Sequence, residues 1–247
     1  MISVCVATYN GEKWVKEQML SILSQLRLGD EVIVVDDCST DSTVAILEGL
    51  NDSRVKIYLN QANAGHVATF ERALGLSSGD WILLADQDDV WTPGRVELFL
   101  SSLKESPVVA SNLRLMQSEG ERGVQGEEFR LPPAGGWFHL RNVCGIFLGR
   151  RAYFGCAMGM RRSALRFLLP FPARTEAHDL WIALAANVRG EMHHLEAPTV
   201  LRRIHGKNLT PRTRRSWRPV LRTRSIFVWQ GIVTLFRAMN EGRGQRW

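Results

Sequence analysis

The 247 residues suffice for one large domain or two small ones. With 45% hydrophobic and 23% charged residues and no evident internal repeat, the composition is that of a folded soluble protein and sets aside low-complexity and repeat architectures. The net charge of +6 is concentrated: Arg202 to Trp247 holds twelve Lys or Arg against Glu241 alone, a segment of +11 that leaves −5 on the first 201 residues, so the high pI describes a tail.

The chain opens Met1-Ile2-Ser3-Val4-Cys5-Val6 without a basic leader, so Ile2–Ala7 is expected to be a first strand and not a signal peptide. Thr8-Tyr9-Asn10-Gly11 follows as a turn, and Trp14, Val15, Met19, Ile22, Leu23 and Leu26 give helical spacing across Glu12–Leu26. Glu31–Val35 predicts a second buried strand, closed by Asp36-Asp37-Cys38-Ser39-Thr40-Asp41. Ser39, Thr40 or Asp41 would cap a helix reaching Leu50. Val55–Leu59 predicts a third strand, Asn63-Ala64-Gly65 a turn into a helix over His66–Leu76, and Ser77-Ser78-Gly79-Asp80 its end. Trp81–Ala85 is a fourth strand, met at once by Asp86-Gln87-Asp88-Asp89-Val90-Trp91, and Pro93–Ser102 a further helix. This alternation predicts an α/β fold with a mostly parallel central sheet and helices on both faces.

Beyond residue 105 the pattern is less regular. Val108–Leu115 reads as a strand and Gln117–Gly136 as a polar loop. Gly155-Cys156-Ala157-Met158-Gly159-Met160 is rich in small residues, which lets a backbone approach a ligand or a packed strand closely. Asp179 stands near the start of a helix reaching Val188, where the dipole favours an ionised carboxylate and plain N-capping is the competing role. In the tail, Trp217, Ile226, Phe227, Val228, Trp229, Ile232, Val233, Leu235 and Phe236 interleave with arginines. That favours a helix lying on an anionic membrane surface over a nucleic-acid-binding arm. Its apolar run, Ser225–Phe236, is shorter than the roughly 20 residues of a bilayer span. Cys5, Cys38, Cys144 and Cys156 have no close metal-ligand spacing; Cys5 and Cys38, in or beside strands, are expected to be buried free thiols, which fits a reducing compartment.

Right-handed crossovers place Thr8-Tyr9-Asn10, Asp36-Asp37 and Asp86-Gln87-Asp88 on one edge of the sheet, where open α/β sheets bind ligands. Asp86 and Asp88 are spaced so that both can face one hard divalent cation, although a solvated turn would look the same. Neither Gly-x-x-x-x-Gly-Lys nor Gly-x-Gly-x-x-Gly occurs. A nucleoside diphosphate in this crevice would therefore be neutralised by a cation and basic side chains.

Ser3-Val4-Cys5-Val6-Ala7-Thr8-Tyr9-Asn10, Val34-Val35-Asp36-Asp37-Cys38-Ser39-Thr40-Asp41-Ser42-Thr43 and Asp86–Trp91 together resemble the family 2 glycosyltransferases. The later signatures are His178-Asp179-Leu180-Trp181 and Arg203-Ile204-His205-Gly206-Lys207-Asn208, so the match runs through about residues 1–210. Within the family the chain is most similar to bacterial rhamnosyltransferase-like enzymes of surface-polysaccharide assembly. The resemblance implies a GT-A fold over 1–211, with a nucleotide-binding half (1–105) and an acceptor-binding half (106–211), followed by a basic amphipathic helical tail (212–247). It implies inverting transfer of a sugar from a nucleoside-diphosphate sugar, dTDP-rhamnose being favoured, to a hydroxyl of a lipid-linked glycan acceptor. The setting would be the cytoplasm, peripheral on the inner face of the cytoplasmic membrane, with no nucleic acid as partner.

Carried over by position, Thr8, Tyr9, Asn10 and Asp37 would hold base and ribose. Asp86 would contact ribose or metal-bound water, and Asp88 would be the main protein ligand of Mg2+ or Mn2+. Asp179 matches the general base, and Arg203 and His205 the pair that closes over the diphosphate. Lys207 departs from the pattern, standing where an asparagine is usual; it adds a positive charge near the phosphates or is simply solvated. His178 either tunes the base or is structural, and core packing is favoured over sugar stacking for Trp91 and Trp181. The competing function is a catalytically inactive nucleotide-sugar-binding assembly module.

Overall fold

A computed structural model describes residues 1–117, 128–131, 138–205 and 217–244. The first half runs β1 (Ile2–Thr8), α1 (Val15–Leu23), β2 (Glu31–Asp36), α2 (Thr43–Glu48), β3 (Val55–Leu59), α3 (His66–Leu76), β4 (Trp81–Asp86), β5 (Val90–Trp91) and α4 (Arg95–Glu105). The second half adds β6 (Val108–Gln117), β7 (Glu128–Phe129), α5 (Phe138–Phe147), a 3-10 turn at Gly155–Ala157, β8 (Met158–Arg161), the single turn α6 (Leu165–Leu168), α7 (His178–Val188), β9 (Met192–Ile204) and α8 (Trp217–Gly244). Most of the expected polar loop 117–136, and Lys207, lie outside the described residues.

One sheet carries the described strands in the order β3-β2-β1-β4-β8-β6-β9-β5, with β7 on β6. The parallel order predicted by the strand–helix rhythm holds through β3-β2-β1-β4. Beyond β4 the sheet is mixed: β8 runs antiparallel to both β4 and β6, β9 parallel to β6, and β5 antiparallel to β9.

Strand alternation sorts the side chains onto two cores, as the period of two requires. Val4, Val6, Val32, Val34 and Leu83 face α1 and α4 through Met19, Ile22, Phe99 and Leu103. Cys5, Ile33, Val35, Ile82 and Leu84 face α3 and α7 through Phe70, Leu74, Trp181 and Leu184. Buried Arg95 ties the first core to the far sheet. Its guanidinium lies 4.5 Å over the rings of Trp91 and Phe99 and donates to Thr199 Oγ1 (2.5 Å) and the Cys156 carbonyl (2.8 Å), while burial pushes its pKa down to about 9.

Helix α8 packs on the second core. Ile226, Phe227, Gln230 and Thr234 are buried, Gln230 Nε2 donates to Thr175 Oγ1 (3.1 Å), and Arg237 donates to the carbonyls of Phe167 (2.8 Å) and Pro170 (2.6 Å). Among the described residues no helix is long and apolar enough to cross a membrane. The thiol expectation needs one correction. Cys5 is buried, but Cys38 is exposed, because its backbone turns into the left-handed region (φ 68°) just past the end of β2.

Candidate active site

The register of the parallel strands sets their ends level: Thr8 pairs with Asp36, and Ala7 with Asp86. The loops leaving these ends are braced by their own polar side chains. Asp36 Oδ1 accepts from the hydroxyls of Thr8 (2.7 Å) and Ser39 (2.6 Å), and Asn10, at φ 49°, accepts the Thr40 N–H through Oδ1 (2.8 Å). Asp37 accepts from Asn60 Nδ2 (2.7 Å) and from the N–H groups of Ala64 and Gly65 (both 2.8 Å), so it anchors the turn into α3. Burial pushes its pKa up, but these donors outweigh that and hold it below the usual range. Tyr9 is the exposed member of the group, with 48% of its surface open at the mouth. Gln87 clasps its backbone, accepting the Tyr9 N–H (2.8 Å) and donating to the Tyr9 carbonyl (3.0 Å). A side chain at Gly11 would collide with that amide, so glycine leaves the room the clasp needs.

The next loop concentrates negative charge. Ligand atoms of Asp86, Asp89 and Cys156 lie within 4.8 Å of one another. Asp89 is buried; its Oδ1 accepts the Arg203 N–H (3.0 Å), while its Oδ2 has no hydrogen-bond partner among the described residues. Burial, then the charge of Asp88, pushes Asp89 up, and burial, then the charges of Asp89 and Asp88, push Asp86 up as well. An orphaned buried carboxylate oxygen beside a second carboxylate and a thiol is a donor set that fits a divalent cation. Asp88 points elsewhere: its Oδ2 meets His205 Nε2 at 2.7 Å, and the His205 ring stacks on Trp14 at 4.2 Å.

Arg203, expected over the diphosphate, is committed to the protein. Its Nε donates to the Asp88 carbonyl (3.0 Å) and its terminal nitrogen to Glu17 Oε2 (2.6 Å), tying β9 to the acidic loop and to α1.

Asp179 stands in the first turn of α7, and Ala177 takes the cap position, so the carboxylate does not serve as an N-cap. It accepts the Leu180 N–H (2.7 Å). Burial pushes it up to about 6, against the pull of the Leu180 and Gly155 N–H groups and of Arg202. The charge of Asp179 reaches Asp86, and that of Arg202, whose guanidinium sits 4.7 Å over Phe154, acts on Asp86, Asp89 and Asp179 together. Gly155 gives its N–H to Asp179 and the next residue, Cys156, lies within 4.8 Å of Asp86, so these two carboxylates, 93 residues apart in sequence, stand near enough for their charges to act on each other. His178 beside Asp179 packs as a core residue: it is buried, stacked on Phe70 at 4.1 Å and pushed down to about 3 by burial. Trp181 is core as well, its Nε1–H donating to the Leu168 carbonyl (3.1 Å).

Sequence patterning missed Gln87, Asp89, Cys156 and Arg202. Asp89 carried a signal as the third acid of its run; Cys156 carried only its place in the small-residue stretch.

A mixed α/β sheet with acidic residues at its parallel strand ends is consistent with the GT-A fold. The model of "Glycosyl transferase family 2" matches residues 3–169, and the chain belongs to that family. It is similar to an uncharacterized glycosyltransferase of Haemophilus influenzae, at 32% identity over 53% of this chain and 42% of that one. A second relative is the UDP-Glc:alpha-D-GlcNAc-diphosphoundecaprenol beta-1,3-glucosyltransferase WfgD of Escherichia coli, at 26% identity over 74% of this chain and 69% of that one. The solved structure of S. aureus TarS 1-349 in complex with UDP-GlcNAc superposes with a TM-score of 0.69 at 23% identity, over 92% of this chain and 66% of that one, which shows a shared fold. The chain spans less than half the length of several curated relatives it matches.

Proposed function

We propose that the protein is an inverting, metal-dependent glycosyltransferase that moves a sugar from a nucleoside diphosphate to a hydroxyl of a lipid-linked glycan in surface-polysaccharide synthesis. The observation that supports this is the turn at Gly155–Cys156, which bonds Asp179 through Gly155 and stands beside Asp86 and Asp89 through Cys156, bringing a raised carboxylate near an acidic group suited to a cation. The relative WfgD, named for a diphosphoundecaprenol-linked acceptor, supports the lipid-linked glycan. The resemblance to rhamnosyltransferase-like sequences favours dTDP-rhamnose, while the TarS complex holds UDP-GlcNAc, so both donors belong in any test.

Asp86 and Asp89, which already face each other, would hold the Mg2+ or Mn2+, and Asp88 would join them on turning from His205. A bound cation supplies charge stabilisation to the departing diphosphate. The chain's own residues do the rest. Thr8, Asn10 and Asp37 fix the loops on which a base and ribose would lie, with Tyr9 open to them. Asp179 takes the acceptor hydroxyl's proton on the face opposite the leaving group, as in other two-carboxylate inverting reactions. Arg203 positions Asp88 through its carbonyl, and Arg202 moderates the pocket's negative charge.

The test is thermal stabilisation by a panel of nucleotide sugars with and without Mn2+. Donor at about 100 times its Kd should stabilise by about 2.7 kcal/mol. Chelator or Asp88→Ala should remove most of that gain, and equal stabilisation with chelator would exclude the cation.

A further inference from the structure

Helix α8 is apolar on two opposite sides, and packing among the described residues accounts for one of them. At about 100° per residue, buried Ile226, Phe227, Gln230 and Thr234 lie on the side turned to α7. Leu221, Val228, Trp229, Ile232, Leu235, Phe236 and Met239 fall within an arc of about 120° on the reverse side, a stripe about 27 Å long. Each of the seven is more than half exposed, from 51% to 62%. A helix already anchored by one face needs no second apolar face for its own stability. Contiguous exposed apolar surface of this size, on the order of several hundred Å2, marks an interaction site.

We infer that this outward face of α8 docks the protein on an anionic lipid bilayer. Charge decides the occupant. The stripe belongs to the segment carrying +11, with Arg212, Arg214, Arg215 and Arg218 immediately before it in sequence and Arg222 exposed beside Leu221. Cationic residues flanking a stripe that contains Trp and Phe are what an interfacial helix requires, and 28 residues is an ordinary length for one. An open groove of about 730 Å3 runs along the flank of this face, lined by Trp229, Ile232, Val233 and Phe236, so an acyl chain meets matching chemistry there. Because the inner face of α8 rests on α7, whose first turn bears Asp179, docking sets the orientation of the base relative to the bilayer. The inference rests on the proposed transfer only for the acceptor's location; the surface stands on its own geometry.

The experiment is co-flotation of the full chain with phosphatidylcholine vesicles, with and without phosphatidylglycerol. Wild type is expected to float with the anionic vesicles, and Trp229→Ser/Ile232→Ser/Phe236→Ser to partition at least about tenfold less, given the apolar area removed. These three side chains lie outside the core packing, so the Tm and the donor-induced shift should be unchanged in the variant. Equal flotation of the triple variant would overturn the inference. So would failure of the wild type to float together with a concentration-dependent dimer, seen by light scattering, that the triple variant abolishes. Loss of donor binding with flotation intact would sink the transferase reading alone.

Discussion

For Asp179, the proposed base, burial also sets the pH range in which it can act. Its pKa is pushed up to about 6 from 3.8, and a base works only when ionised. Transfer is therefore expected to rise with pH through about 6 and to fall about tenfold per unit well below it. An ascending limb in kcat/KM centred near 4 would mean that Asp179 ionises like a surface carboxylate. Stability runs the other way. Between those two values the folded protein binds more protons at this site than the unfolded chain, so the contribution is full at low pH and lost as pH rises through about 6. His178 opposes it: its ring is pushed down from 6.5 to about 3, so acid protonates the unfolded chain first and the stability it allows is lost as pH falls below 6.5. Asp179→Asn, which removes a carboxylate that is costly to ionise, should keep or raise the Tm at pH 8 and slow transfer by about 10²–10⁴-fold. Wild-type turnover in that variant would end the base assignment. These acids were legible because each follows a strand or opens a helix. The roles of Gln87 and Cys156 were not, since an amide clasp and a thiol beside Asp89 depend on contacts across 78 and 67 residues.

Among the elements, the 3-10 turn at Gly155–Ala157 joins the two sides of the pocket. Gly155 gives its N–H to Asp179 and its open Cα face to the His178 ring, while Cys156 turns its thiol to Asp89. A Cβ at Gly155 would collide with the His178 ring, which is buried and backed by Phe70. Gly155→Ala is expected to cost about 1–3 kcal/mol by overpacking and to lower turnover more than donor affinity, because the donor side lies beyond the turn. A variant with unchanged Tm and turnover would show that the turn is not the brace. The small residues were readable in sequence as a close approach, but not what approaches. Strand β9 went unread altogether. Glu196-Ala197-Pro198 interrupts it and reads as a loop, whereas the chain places a bulge opposite Ser111–Asn112 at this point and continues to Ile204. That continuation carries Arg202 and Arg203 to the acidic loop, so the irregularity serves the pocket.

For the whole molecule, the first and second halves of the described chain share one sheet. Strand β4, which ends in Asp86, is hydrogen-bonded to β1 on one side and to β8 on the other, and among the described strands β5 pairs with β9 alone. Arg95 adds a buried link from α4 to Thr199 and Cys156. We propose that residues 1–105 and 106–211 divide the function without being separate folding units. The parallel first half was legible because crossover helices impose a regular rhythm. The mixed second half was not, because antiparallel partners such as β8 and β5 are only four and two residues long and leave no period to read. One consequence can be measured. The full chain should unfold in a single transition with equal calorimetric and van't Hoff enthalpies. A fragment ending at residue 105 would expose the β4 edge and leave Trp91, Phe99 and Leu103 without β9 and β6 to cover them. It should be unfolded or aggregated and bind no donor. A soluble, cooperatively folded 1–105 fragment that binds donor would show that the nucleotide half is autonomous and that the shared sheet is not what makes the pocket one unit.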